Sequence, residues 1–120
     1  MMLKQFSLGK NSLIVNLYGE IDQYAAAQLK EAIDIELENS PRKNLIFDLK
    51  EVSLMDSSGI GLIVGRYKRI STTGGKLLLC NANETVRKML DLSGILKVVK
   101  LYDTLKDAEK LLSNEKGRQI

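Results

Sequence analysis

The sequence predicts an α/β domain with a mainly parallel sheet, an antiparallel hairpin at its N-terminal edge and four main helices. Three observations carry that expectation. Short apolar runs alternate with segments of helical periodicity along nearly the whole chain, and repeated β-α-β units imply right-handed crossovers and parallel strands. Leu77-Leu78-Leu79-Cys80 is apolar at every position, as expected of a strand buried on both faces inside a parallel sheet. The 120 residues, 44% hydrophobic and 28% charged, suit one domain that can bury a core without disulfides or metal. The expected domain covers residues 1–120, with an ordered core from about 3 to 112 and a polar, frayed tail over 113–120.

The elements follow in order. Leu3 to Ser7 and Leu13 to Tyr18 read as two strands joined through Gly9-Lys10-Asn11, with Gly9 expected at positive φ in a short hairpin loop. Leu13, Val15 and Leu17 share one strand face. After Gly19-Glu20-Ile21-Asp22, the residues Ala26, Leu29, Ile33 and Leu37 form one helical stripe, which Ser40-Pro41 ends. Asn44 to Leu49 is the next strand. Ile60, Ile63, Val64 and Tyr67 then mark an amphipathic helix starting near Ser57. Gly59, Gly61 and Gly65 weaken that helix intrinsically, so either close packing on a sheet or room for a partner should compensate. Gly74-Gly75 breaks it before the strand over residues 76–80. Asn83 caps a helix carrying Val86, Met89 and Leu90, and Gly94 ends it. Val98 to Leu101 reads as the last strand. Thr104-Leu105-Lys106-Asp107 opens the final helix as a capping box with Asp in place of Glu or Gln, and Leu105, Ala108, Leu111 and Leu112 face inward.

Composition removes several function classes. The chain has no His, which excludes His-based acid–base catalysis and His metal ligation. Cys80 is the single cysteine, so no intramolecular disulfide or CxxC site can form, and a buried structural thiol is expected. The net charge of +3 is not concentrated in a patch that would bind nucleic acid directly; Arg66, Lys68 and Arg69 read as a solvated helix face. Neither a signal peptide nor an apolar run near the ~18 residues of a membrane span is evident, so a cytoplasmic protein is expected. Gly75-Lys76 fails the phosphate-loop pattern, because Ile70 holds the first Gly position and Leu77 follows the Lys. Asp48, late in a strand, is expected to face solvent or form a turn. No cofactor, metal or catalytic residue is expected.

The remaining chemistry lies beyond the carboxyl ends of the parallel strands, where two loops should meet: Gly19 to Asp22 and Met55 to Ser58. Asp56-Ser57-Ser58-Gly59 precedes a helix, so it suits an N-cap; a capping serine is also compatible with phosphoacceptance. A phosphate there meets the positive end of the helix dipole while adding about −1.5 to −2 charge to the surrounding surface. Asp22 and Asp56 are read as caps that, if brought onto one surface with Ser57, form an acidic docking patch for a basic partner.

The run Asp56-Ser57-Ser58-Gly59-Ile60-Gly61, followed by Gly65-Arg66-Tyr67-Lys68, strongly resembles the anti-sigma factor antagonists of the STAS family, closest to the sporulation type. Gly19-Glu20-Ile21-Asp22, Gly74-Gly75 and Leu92-Ser93-Gly94 fall where that family has similar segments, so the likeness extends from about Leu3 to Leu112. The resemblance implies the STAS fold and a partner switch. The unphosphorylated protein binds an anti-sigma factor that is also a serine kinase, releasing the sigma factor. The kinase uses ATP to phosphorylate the serine after the Asp, here Ser57, and a metal-dependent serine phosphatase reverses it. The implied contact surface is Glu20, Asp22, Asp56, Ser58, Gly59, Ile60 and Gly61 around Ser57. Such an antagonist is a substrate rather than an enzyme, and a monomer when alone. Sporulation-type members often carry a His pair after the Asp of the G-E-x-D segment; Gln23-Tyr24 stands there in this chain. Three other readings stay open: a stress-response or other non-sporulation antagonist with the same fold, a STAS scaffold forming stable homo-oligomers, and a nucleotide-binding signalling domain in a non-sporulation pathway.

Overall fold

A computed structural model describes residues 4–117. Five strands form one sheet in sequential order: β1 (Lys4–Leu8), β2 (Ser12–Ile21), β3 (Asn44–Met55), β4 (Leu77–Cys80) and β5 (Leu101–Tyr102). β1 runs antiparallel to β2, and all other neighbours are parallel. The helices are α1 (Gln23–Asn39), α2 (Ser57–Thr72), α3 (Glu84–Ser93) and α4 (Leu105–Gly117).

Each β-α-β step moves one strand further in the same direction, so right-handed crossovers put α1, α2 and α3 on one face. The core shows it. Leu13, Val15, Leu17, Leu45 and Phe47 pack with Leu29 and Ile33 of α1, Ile63 of α2, and Val86 and Leu90 of α3. The alternate positions Ile14, Ile46, Leu78 and Cys80 point to the other face, where Ala108 and Leu112 of α4 cover them. Period-two alternation thus divides one sheet between two unequal cores. The caps fall as expected: Asp22, Asp56 and Asn83 each accept backbone N–H bonds from the first turn that follows, and Thr104 Oγ1 accepts from Asp107 N at 3.1 Å.

Several expectations are corrected. β2 and β3 run on to Ile21 and Met55 rather than stopping at Tyr18 and Leu49. Irregularities between Asn16 and Tyr18 and between Gly19 and Glu20 let the parallel ladder continue through polar Lys50, Glu51 and Ser53 while Val52 and Met55 stay inward. The two expected loops therefore shrink to one residue each, Asp22 and Asp56. Gly9 is not at positive φ; it leaves room for Ser12, whose Oγ would lie 2.8 Å from a Cβ there. The strand expected at Val98 to Leu101 forms only at Leu101–Tyr102. Gly94 starts a 3₁₀ turn over Ile95–Lys97, and Val98 N and Val99 N donate back to Ile95 O, which takes them out of the ladder.

Arg66 is not on a solvated face. It is 6% exposed, with Nε 3.1 Å from Asp34 Oδ1 of α1, and Arg69 Nη1 reaches the same oxygen at 3.0 Å. The Arg66 approach lacks hydrogen-bond geometry, so it is an electrostatic contact, and Arg66 Nη1 has no partner among the described residues. Asp48 is buried rather than solvent-facing. Its Oδ1 accepts from Lys50 N at 3.1 Å and from Asn81 Nδ2 at 3.0 Å. Cys80 is buried as expected; burial, then the Asp48 and Glu109 carboxylates, push its thiol up to about 12. α4 extends through Gly117, five residues past the expected core boundary; Leu3 and residues 118–120 of the expected tail lie outside the described residues.

Candidate functional site

β2 and β3 are parallel neighbours that end level with each other, Ile21 beside Met55. Asp56 N donates to Ile21 O at 3.2 Å, closing the ladder at its carboxyl end. One residue later in each strand a helix begins. Asp22 Oδ1 accepts from Ala25 N at 2.9 Å, and Asp56 Oδ1 accepts from Ser58 N at 2.8 Å and Gly59 N at 3.4 Å. The fold thus brings together two cap carboxylates that lie far apart in the chain. They border an open depression of about 560 Å³, completed by Gln23, Tyr24 and Ala27.

Ser57 is the first residue of α2, and it is exposed. Its hydroxyl makes no hydrogen bond among the described residues, so Oγ is free to accept a phosphoryl group. Ser58 differs: it is half-buried, and its N–H is held by Asp56. Gly61 lies one helical turn after Ser57 on the same face and is exposed, with nothing within 4 Å of where its Cβ would be. Gly65 continues that bare stripe with the same open surroundings. Gly59 instead faces inward. A Cβ there would overlap Met55 Cγ and lie 3.2 Å from Ile21 Cγ2, so its absence lets α2 start directly on the strand ends. The three glycines divide between the two expected uses, close packing and open surface.

Ile60 is half-buried against the main core, and Glu20 is exposed on β2, paired in register with Leu54. Of the expected contact residues, Glu20, Asp56, Ser57 and Gly61 therefore present exposed positions, Asp22, Ser58 and Ile60 are half-buried, and Gly59 is internal. The depression also includes a residue that the motif does not single out. Tyr24 is 74% exposed. The signal for it was present, because Tyr24 lies off the Ala26, Leu29, Ile33 and Leu37 stripe and so had to point outward. Among the described residues no cluster of His, Cys, Asp or Glu could hold a metal ion, and no helix is long and apolar enough to cross a membrane.

A sequential mixed sheet with three helices on one face, one on the other, and an accessible capped serine beyond the strand ends defines a STAS domain. The STAS domain family matches residues 7–108, and the chain belongs to that family. It is 37% identical over 91 residues to the anti-sigma F factor antagonist of Paenibacillus polymyxa, covering 76% of this chain and 78% of the relative. It is also 37% identical over 90 residues to the anti-sigma-B factor antagonist of Bacillus subtilis strain 168, covering 75% and 81%. The fold is similar to the unphosphorylated anti-sigma factor antagonist SpoIIAA, with a TM-score of 0.80, 27% identity, and 92% and 96% of the two chains covered. For the phosphorylated form of Bacillus SpoIIAA the TM-score is 0.70 at 26% identity, with 91% and 98% covered.

Proposed function

We propose that this chain is an anti-sigma factor antagonist controlled by phosphorylation of Ser57. Unphosphorylated, it binds an anti-sigma factor that is also a serine kinase and displaces the sigma factor. Phosphorylation ends that binding, and a metal-dependent serine phosphatase restores it. The carrying observation is the exposed, unbonded Ser57 hydroxyl at a helix N-terminus, directly after Asp56, which borders one depression with Asp22.

The physical argument runs through charge. A phosphate on Ser57 is compatible with the fold, because the helix N-terminus tolerates an anion. It adds about −1.5 to −2 charge beside Asp56, on a surface where a basic partner group is the complementary one. Surface recognition therefore changes far more than the fold does. Glu20, Asp22, Asp56, Ser58, Ile60 and Gly61 form the contact surface on this reading, with Gly59 positioning it. The protein acts as substrate and binding module in the cytoplasm, monomeric when alone, and the sporulation-type pathway is the favoured setting.

The test incubates the protein with ATP and the anti-sigma kinase of the same organism and maps phosphate by mass spectrometry. Single phosphorylation at Ser57 with loss of the complex is the expected result. An active kinase that leaves Ser57 unmodified would overturn the switch and leave the family assignment standing.

A further inference from the structure

The acidic depression has an aromatic wall. Tyr24 sits in the first turn of α1, two residues after the Asp22 cap, and borders the same space as Asp22 and Asp56. The residue is 74% exposed, and its hydroxyl makes no hydrogen bond among the described residues. Neither core contact nor internal bonding accounts for a tyrosine at this position. Most of its surface is available to be buried by something else, and tyrosines of that kind dominate protein interfaces energetically.

Its surroundings specify what that something is. Two carboxylates and an electron-rich ring bordering one open depression favour a cation: the carboxylates by charge, the ring through its quadrupole. The ion pairs found among the described residues lie elsewhere, on Asp34, Glu38, Glu84 and Asp103. We infer that Tyr24 is a specificity-determining residue of the partner interface, its ring forming a shelf for a cationic side chain of the kinase held between Asp22 and Asp56. The inference rests on the proposed partner switch and deepens it by naming the side-chain chemistry that this member of the family selects at the Gln23-Tyr24 position.

The test compares Tyr24→Phe, Tyr24→Leu and Tyr24→Ala in the full-length chain, by calorimetric titration with the ADP-loaded kinase at two salt concentrations. Tyr24→Phe keeps the ring face and is expected to bind within about twofold of the parent. Tyr24→Leu keeps apolar area without the quadrupole and is expected to weaken binding by roughly 3- to 30-fold, the range of a cation–π contact. Tyr24→Ala is expected to weaken it further. Thermal melts of all three should match the parent, because an exposed side chain contributes little to the core. Binding of Tyr24→Ala within twofold of the parent, with Ser57 still phosphorylated, would overturn this inference alone. Tyr24→Leu binding as tightly as Tyr24→Phe would overturn the cationic partner. A parent protein that neither forms a complex nor accepts phosphate at Ser57 would overturn the switch and this inference together.

Discussion

Replacing Gly59 or Gly61 by alanine should move stability in opposite directions, although the two positions are neighbours on the same helix. Alanine is better than glycine in a helix interior by about 0.8–1 kcal/mol, and each substitution collects that gain. At Gly61 nothing lies within 4 Å of the new methyl, so the gain is realised in full. For a domain of this size it corresponds to a rise in Tm of about 3–5 °C. At Gly59 the methyl would overlap Met55 Cγ and press on Met55 Sδ at 3.0 Å and Ile21 Cγ2 at 3.2 Å. Met55 is flexible but only 3% exposed, and Ile21 is fully buried and β-branched, so neither yields freely. Overpacking of this kind costs about 1–3 kcal/mol. The net effect at Gly59 is a loss of up to about 2 kcal/mol, and the two variants should differ by about 1–3 kcal/mol. Urea denaturation followed by circular dichroism measures both. The same pair separates stability from recognition, because Gly61 lies one turn from Ser57 on the exposed face: Gly61→Ala should be more stable yet bind the kinase more weakly. Equal stabilisation by both substitutions would refute the close approach of α2 to the strand ends.

Three further outcomes test other parts of the structure. Ser57→Ala should bind the kinase and resist being switched off, whereas Ser57→Asp should bind poorly; tight binding by Ser57→Asp in a pull-down would count against electrostatic disruption. Asp34→Ala should cost about 3 kcal/mol, because it strands the buried Arg66 guanidinium, while Arg66→Met leaves Asp34 still paired with Arg69 at 3.0 Å and should cost much less. Denaturant titrations giving the reverse order would remove the α1–α2 ion pair from the account. Burial, then the Asp48 and Glu109 carboxylates, push the Cys80 thiol from its ordinary 9.0 up to about 12, so folding favours the neutral thiol. Its contribution is complete below about pH 9 and is lost as pH rises toward 12, where the unfolded state releases the proton first. Wild-type stability should fall relative to Cys80→Ser between about pH 8 and pH 10, and parallel curves would show that the thiol is not so shielded.

The order and type of nearly every element could be read from the chain, because stripes such as Ala26, Leu29, Ile33 and caps such as Asp22, Asp56 and Asn83 are local signals. The lengths of β2 and β3 could not. Their ladder continues through polar residues only because of two register irregularities, which exist in the pairing of strands and not in either strand alone. Arg66 looked solvent-facing because its partner, Asp34, lies on another helix; a cation can be read as buried only when its counter-charge can be placed. The bond from Asn81 to Asp48 is not legible in the sequence for the same reason: it joins the residue after β4 to a position inside β3. The serine at the start of a capped helix was legible from its motif, whereas the depression near it required knowing that Ile21 and Met55 end level.

The junctions at Asp22 and Asp56 have a kinetic consequence. With a single residue between strand and helix on each side, the surface proposed to meet the partner is carried on the ends of regular elements rather than on a long loop. The conformational entropy of presenting the two carboxylates and Ser57 is spent during folding, before any encounter. Association should therefore proceed without conformational gating, at rates set by diffusion and electrostatic steering, and a change of partner preference must come from exchanging side chains on a stiff frame rather than from reshaping a loop.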